Sequence, residues 1–339
     1  MDTKKHVFFF DAMRCCAALA VIVIHALAPY RHQLGDIPMG EWITAISFNG
    51  FSRWAVPVFI LITGALMLND KRPFDLKYYL SRRLGKVLVP FIVWSIFYAF
   101  LSGWSLTGFD SSIVSQILAN SFHHQTYYHL GFFYYFIPLY FAIPFLQALV
   151  KRYDDVALYA LTAIWLLTTL LFLLRIDGPW SEQFWLYMGL LPLGYVLYQK
   201  LPLNRTIVIV AVILGLGAMA LGSYMVIENS IQAERYSVGR WFSYKTINTV
   251  LAASMVFILC KAFADRLNSG SQRVVSFISK HSLGIYILHP LFLWPMNTLH
   301  LYQGHPMMMI PIWVLISGGG ALALSYLLSL SAKTRWLLP

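Results

Sequence analysis

The sequence predicts an all-α polytopic membrane protein of about ten transmembrane helices with both termini in the cytoplasm. Three observations predict it: a shortage of charge, a series of apolar runs of similar length, and a one-sided distribution of Lys and Arg along them. Of 339 residues, 59% are hydrophobic and 12% charged, at a mean hydropathy of +0.64. Soluble domains carry about 25% charged residues, so a water-facing surface is excluded for a fold of this size, and lipid is the solvent. Ten spans of ~20 residues leave only short joints, which makes residues 1–339 a single integral membrane domain.

Apolar runs of spanning length fall at 8–30, 44–68, 84–104, 130–150, 156–175, 182–199, 206–227, 247–264, 280–299 and 307–330. The first has the outline of a secretory signal, with Lys4 and Lys5 ahead of it and Ala26-Leu27-Ala28 as a cut site. Asp11 and Arg14 interrupt that outline and Pro29 would follow the cut, so a retained first helix is expected. Of the joints, 105–129 and 228–246 are each long enough for a small surface helix. Alternating the runs from an inside N-terminus puts Arg31, Arg53, Arg175, Arg235, Arg240 and Lys245 outside and the rest of the 25 Lys and Arg inside. That is the asymmetry expected of cytoplasmic loops. Trp42, Trp104, Tyr127, Tyr128, Trp180 and Trp241 at run ends suit an interfacial belt.

The net charge of +11 does not form a basic domain; it punctuates apolar runs, so the bilayer is the expected partner and nucleic acid is not. Cys15, Cys16 and Cys260 lie inside apolar runs, where an odd count argues against a disulfide framework. Ala218-x-x-x-Gly222 and Gly318-Gly319-Gly320 are compatible with close helix packing within one chain or between chains of a homo-oligomer.

Ionisable groups inside spans are costly and mark functional sites by default. The first run carries Asp11, Arg14 and His25. At 100° per residue, Arg14 and His25 lie within about 20° of one face and ~16 Å apart along the axis. Asp11 is one turn from Arg14 and placed to pair with it. A second intramembrane imidazole is His289, one turn after Tyr286 in Ser282-Leu-Gly-Ile-Tyr286-Ile-Leu-His289-Pro290. Arg82, Arg83 and Lys86 stand at the inner mouth of the third run, with Lys71, Arg72 and Lys77 nearby. Six cations on one short loop exceed what orientation requires and suit a phosphate-rich ligand. His123, His124, Tyr127, Tyr128 and His129 cluster ahead of the fourth run; no carboxylate or Cys completes a ligand set, so no metal is expected.

Taken in order, these residues resemble the acyltransferase-3 family of integral membrane acyltransferases. The resemblance rests on Asp11, Arg14 and His25; on Val56-Pro57-Val-Phe59 with Thr63-Gly64; and on Arg83-Leu-Gly-Lys86 leading to Pro90 and Trp94-Ser95. It continues through Tyr128-His129-Leu130 with Tyr140 and Pro144, and Ser282-Leu-Gly284-Ile-Tyr286-Ile-Leu-His289. Thr63, Lys86 and Gly131 depart from the family's usual Ser, Arg and Trp. Length and layout are most similar to the stand-alone bacterial sugar O-acetyltransferases, such as the one that modifies enterobacterial common antigen.

The resemblance implies a multi-pass enzyme of the bacterial inner membrane. It would move an acetyl or other short acyl group from cytoplasmic acyl-CoA to a hydroxyl of a surface glycan or its lipid-linked precursor. No cofactor is expected to stay bound; acetyl-CoA is a co-substrate. His25 is the expected general base or transient acyl carrier, supported by Arg14 and Asp11. Arg82, Arg83 and Lys86 are expected to hold the donor phosphates, and Tyr128, His129, Tyr286, His289 and Ser282 to line or support the acceptor side. The rival class is a proton-coupled transporter or flippase of a sugar or lipid-linked substrate; it predicts inverted repeats, and none stands out in the sequence.

Overall fold

A computed structural model describes residues 7–338; Lys4 and Lys5 of the expected inside set lie outside the described residues. In chain order the helices are α1 (Phe9–Ala26), α2 (Met39–Gly50), α3 (Ala55–Leu68), α4 (Leu76–Tyr79), α5 (Gly85–Ser102), α6 (Ser111–Ala119), α7 (Gly131–Arg152), α8 (Asp155–Leu173), α9 (Gln183–Met188), α10 (Leu190–Tyr195), α11 (Arg205–Gln232), α12 (Ile247–Phe263), α13 (Ser269–Lys280), α14 (Ser282–Thr298) and α15 (Pro306–Leu330). One short hairpin, β1 (Trp104–Ser105) with β2 (Gly108–Phe109), follows α5.

The protein is an all-α polytopic membrane protein. Among the described residues eight helical runs are long and apolar enough to cross a bilayer: Phe9–Ala26, Met39–Leu68, Leu76–Ser102, Tyr128–Arg152, Asp155–Leu173, Arg205–Gln232, Ile247–Arg266 and Pro306–Leu330. The two further apolar runs of the sequence are helical but shorter or broken. α14 has 17 residues, and the 182–199 run divides at Gly189 into α9 and α10 before a wide turn at Val196–Lys200. Gly189 faces Trp165 of α8 so closely that a Cβ there would lie 2.2 Å from the indole.

Several joints differ from the sequence reading. The second run starts earlier, at Met39, and is interrupted by a turn at residues 51–54. The 105–129 joint does hold a helix, α6, but 228–246 does not: α11 simply continues to Gln232. Arg82 and Arg83 are not on a loop. The third run extends down through α4 and a π-turn at Leu80–Leu84, which places both arginines on helical backbone. A π-turn inserts one residue into the helix and shifts the faces that follow it. Polar caps set these starts: Asp75 accepts the Tyr78 N–H, Asn204 that of Ile207 and Asn268 that of Ser271.

α1 is the axis of the bundle. It packs against α3, α12, α13, α14 and α15, and 72% of its spanning window is buried, against 17% for α15. The closest crossing is α3 on α10. A Cβ on Gly64 would lie 2.1 Å from the Leu191 carbonyl oxygen, and one on Gly194 would lie 2.1 Å from that of Leu61. Two facing glycines thus bring two backbones into contact, the small-residue packing that membrane helices use in place of a hydrophobic driving force. The runs flagged in the sequence also pack inside the chain: Gly222 faces Asn248 of α12, Gly318 faces Ile22 of α1 and Gly320 faces Phe292 of α14. Replacing Gly64 with Ala should cost at least about 1–3 kcal/mol of overpacking, read as a lowered thermal midpoint of the detergent-purified protein; an unchanged midpoint would refute the contact.

Candidate active site

Asp11 sits in the first turn of α1 and is buried. Its carboxylate accepts from Ser276 Oγ at 2.7 Å and Ser279 Oγ at 2.8 Å, both on α13, and from Arg14 Nη1 at 3.4 Å. The Asp11–Arg14 pair read from the sequence is therefore present but long, and the two serines hold the carboxylate more closely. Ser276 and Ser279 escaped the sequence reading, although their spacing of three puts both on one face of a helix. With Asp11 tied to α13, the Arg14 guanidinium is left to face a cavity.

That cavity, of about 310 Å³, is walled by Arg14, Arg82, Arg83 and Lys86 and by no carboxylate; the remaining wall is aliphatic and aromatic, apart from Thr63 and Ser282. Arg83 shares Asp70 with Arg72, donating at 3.3 Å, while Arg82 and Lys86 have no ion pair among the described residues. Four cations line a space with no carboxylate in its wall, and two of them have no ion pair among the described residues, which suits an anion. Ser282, expected on the acceptor side, lines this basic cavity instead. It precedes Tyr286 by one full turn of α14, which carries it toward the Arg14 end.

At the other end of α1, in its last turn, His25 lines a second cavity of about 210 Å³ with Tyr128, His129 and Tyr286. Three imidazoles gather here: the His25 ring stacks on His289 at 5.2 Å between centroids, and His129 meets His289 at 5.6 Å, edge to face. His25 also lies 4.7 Å from the Tyr128 ring and makes no side-chain hydrogen bond among the described residues. His123 and His124 are exposed in the turn before α7 and stay outside this group. No group of three or more His, Cys, Asp and Glu is arranged as a metal-ligand set among the described residues.

The backbone fixes the tautomers of two of these rings. Pro290 has no N–H, so the Tyr286 carbonyl, four residues earlier, lacks its helical donor. His289 Nδ1 supplies one, donating to that oxygen at 2.7 Å. The Nδ1 proton leaves Nε2 as a lone pair, and Nε2 is buried without a partner. His129 has the mirror arrangement: Nε2 donates to the Ile287 carbonyl at 3.1 Å, and Nδ1 is buried and unpartnered. The Tyr286 hydroxyl, donating to the His129 carbonyl, holds that segment against α14. Ser317 of α15 donates to the His289 carbonyl at 2.9 Å.

The two cavities adjoin. Phe132 and Tyr286 belong to the wall of both, with ring centroids 5.8 Å apart in an edge-to-face contact. Arg14, Arg82, Arg83, Lys86, His25, Tyr128, His129 and Tyr286, singled out in the sequence, therefore line two adjoining cavities along α1.

The cavity of Arg14, Arg82, Arg83 and Lys86 thus adjoins the cavity of His25, with Phe132 and Tyr286 in the wall of both. Residues 7–330 match the family model of the acyltransferase domain of acyltransferase-3 type, and the chain belongs to that family. It is thus a membrane acyltransferase. Neither the curated proteins nor the solved structures compared with the chain gave a match.

Two outcomes follow from this geometry. Ser276→Ala and Ser279→Ala should each cost about 1.5–3 kcal/mol, since each removes a hydrogen bond to a buried carboxylate; thermal melting of the single and double variants measures it. Pro290→Ala restores a backbone donor to the Tyr286 carbonyl, so His289 should lose its single tautomer, which 15N chemical shifts of labelled histidine report directly.

Proposed function

We propose that the protein is an acyl-CoA-dependent O-acyltransferase of the bacterial inner membrane, acetylating a hydroxyl of a cell-surface glycan or its lipid-linked precursor. The observation that carries this reading is the pair of adjoining cavities, one with four cations and no carboxylate, the other with His25. In this reading the whole chain is one domain of ten spans, and both ends lie in the cytoplasm. The basic vestibule then faces the compartment that contains acyl-CoA, and the imidazole chamber faces outward.

Arg82 and Lys86, without an ion pair among the described residues, take the donor phosphates, and Arg83 and Arg14 extend the field inward. The aromatic wall of the vestibule suits the thin pantetheine arm, which delivers the thioester carbonyl past Phe132 and Tyr286 to His25. The acceptor hydroxyl attacks that carbonyl as His25 takes its proton. The tetrahedral intermediate collapses, the C–S bond breaks, and CoA leaves as the thiol after regaining the proton from the imidazolium. An acyl-imidazole route uses the same atoms in two steps: His25 displaces CoA, and the hydroxyl then displaces His25. His289 and His129, held neutral as lone-pair acceptors, stabilise the imidazolium without competing as acids. Arg14 stays protonated and serves as a positioning charge.

His25→Ala should lower acetyl transfer about 10²–10⁴-fold, the range for removing a general base, with acetyl-CoA binding retained. Near-normal transfer in labelled membranes would remove His25 from the mechanism. Arg82→Gln with Lys86→Gln should raise the KM for acetyl-CoA about tenfold or more, an effect that shrinks with added salt; an unchanged, salt-insensitive KM would move the donor elsewhere.

A further inference from the structure

At the end of the molecule opposite the basic vestibule, two further arginines lie close to the imidazole chamber. Arg31 follows α1 in the turn before α2, and Arg53 lies in the turn between α2 and α3. The two are within electrostatic reach of each other and of His25. Neither has an acidic partner in any ion pair among the described residues. Arg31 donates through Nη2 to the Ile24 carbonyl, and Arg53 through Nη1 to the Tyr244 hydroxyl at 3.2 Å. The Nε–H of each is buried and unpartnered, so most of the five donors on each guanidinium are unused.

Structural roles account for only part of this. Arg31 caps the C-terminus of α1, where cations are favoured, and that uses one donor. Arg53 lies over the rings of Phe242 and Tyr244, at 5.3 and 5.4 Å, a contact made through the face of the guanidinium. Neither role explains why two like charges are brought together and half-buried. Burial, and then the charge of Arg53, push Arg31 down from its ordinary range. The pair is thus held against repulsion and desolvation, a cost that a bound anion removes. The position is also specific. Tyr244, which receives Arg53, and Tyr128, which lies close enough to influence Arg31, both line the cavity of His25.

We infer that Arg31 and Arg53 form an anion site at the rim of the His25 chamber, and that the acyl acceptor is an acidic glycan with a carboxylate or phosphate close to the hydroxyl that is acylated. This rests on the acyl-transfer reading above. A planar guanidinium pairs with a carboxylate or phosphate through two parallel hydrogen bonds, so the site fixes the orientation of the acceptor as well as its presence. The two arginines act as positioning residues: they orient the acceptor hydroxyl toward His25 and take no part in proton transfer. An acidic sugar and the diphosphate of a polyprenyl-linked sugar offer the same chemistry to the site.

The test is binding to the full-length protein in lipid nanodiscs, by calorimetry, with four probes. These are a neutral disaccharide, its glucuronate-containing twin, its sugar-phosphate twin, and the neutral disaccharide on a short polyprenyl diphosphate. At least one anionic probe should bind about tenfold more tightly than the neutral disaccharide, the effect of one charge-assisted contact. Arg31→Gln and Arg53→Gln should each abolish that preference, Arg53→Lys should keep part of it, and the affinity for acetyl-CoA should stay unchanged in all three. Which anionic probe wins identifies the source of the charge. Equal binding of neutral and anionic probes, binding of none, or a preference that survives both Gln substitutions would overturn the inference. Acetyl-CoA binding on the same samples separates the two readings: an anion preference without any acetyl-CoA binding would overturn the assignment of the bound anion as an acyl acceptor.

Discussion

A charged side chain inside a bilayer has to be paired or has to face a cavity, and in this protein that constraint falls on a single helix. α1 carries Asp11, Arg14 and His25, packs against α2, α3, α12, α13, α14 and α15, and is the most deeply buried of the spans. Asp11 meets the constraint through Ser276 and Ser279, which fasten α1 to α13. Arg14 and His25 meet it differently, each by lining one of two cavities. The Gly64–Gly194 crossing and the packing of Gly318 against Ile22 let the neighbouring helices close around this axis. The site is therefore a consequence of how one helix carries its charges.

The chemistry of the chamber depends on a missing atom in the backbone. Because Pro290 offers no N–H, the Tyr286 carbonyl accepts a hydrogen bond from His289 Nδ1, and Nε2 is buried without a hydrogen-bond partner among the described residues. A similar bond to Ile287 leaves a lone pair on His129. Two imidazoles, one of them stacked on His25, make the surroundings of that ring polar. The aromatic partition of Phe132 and Tyr286 separates this lining from the four cations of the vestibule.

The fold class was legible in composition and periodicity, because an apolar run of spanning length has few alternatives. The site was legible in the residues that membrane packing cannot explain: Arg14, His25, His289 and the Arg82–Lys86 cluster all fall on the two cavities or directly behind them. What stayed hidden was tertiary. A serine pair on α13 has no meaning until Asp11 is placed opposite it, and Ser282 changed sides because one helix passes both cavities. The π-turn that sets Arg82 and Arg83 on helical backbone leaves no local signature in Leu80-Ser-Arg-Arg-Leu84. Trp94, which stood out within a motif, donates to the Leu337 carbonyl at 3.1 Å and ties α5 to the end of the chain. Arg31 and Arg53 are two of the six basic residues that the orientation rule places outside, and that they have no ion pair among the described residues is visible only in three dimensions.

The central claim is that donor and acceptor reach the same base from opposite faces of the membrane, through the two cavities that meet at Phe132 and Tyr286. The most direct measurement is sidedness in proteoliposomes of one defined orientation. Acetyl-CoA is supplied only to the face bearing Arg82, and a membrane-impermeant acceptor glycan only to the other. Acetylated glycan should form on the far face while free CoA accumulates on the near face, with no acetyl-CoA crossing. Acetylation only when donor and acceptor share one face would contradict the account.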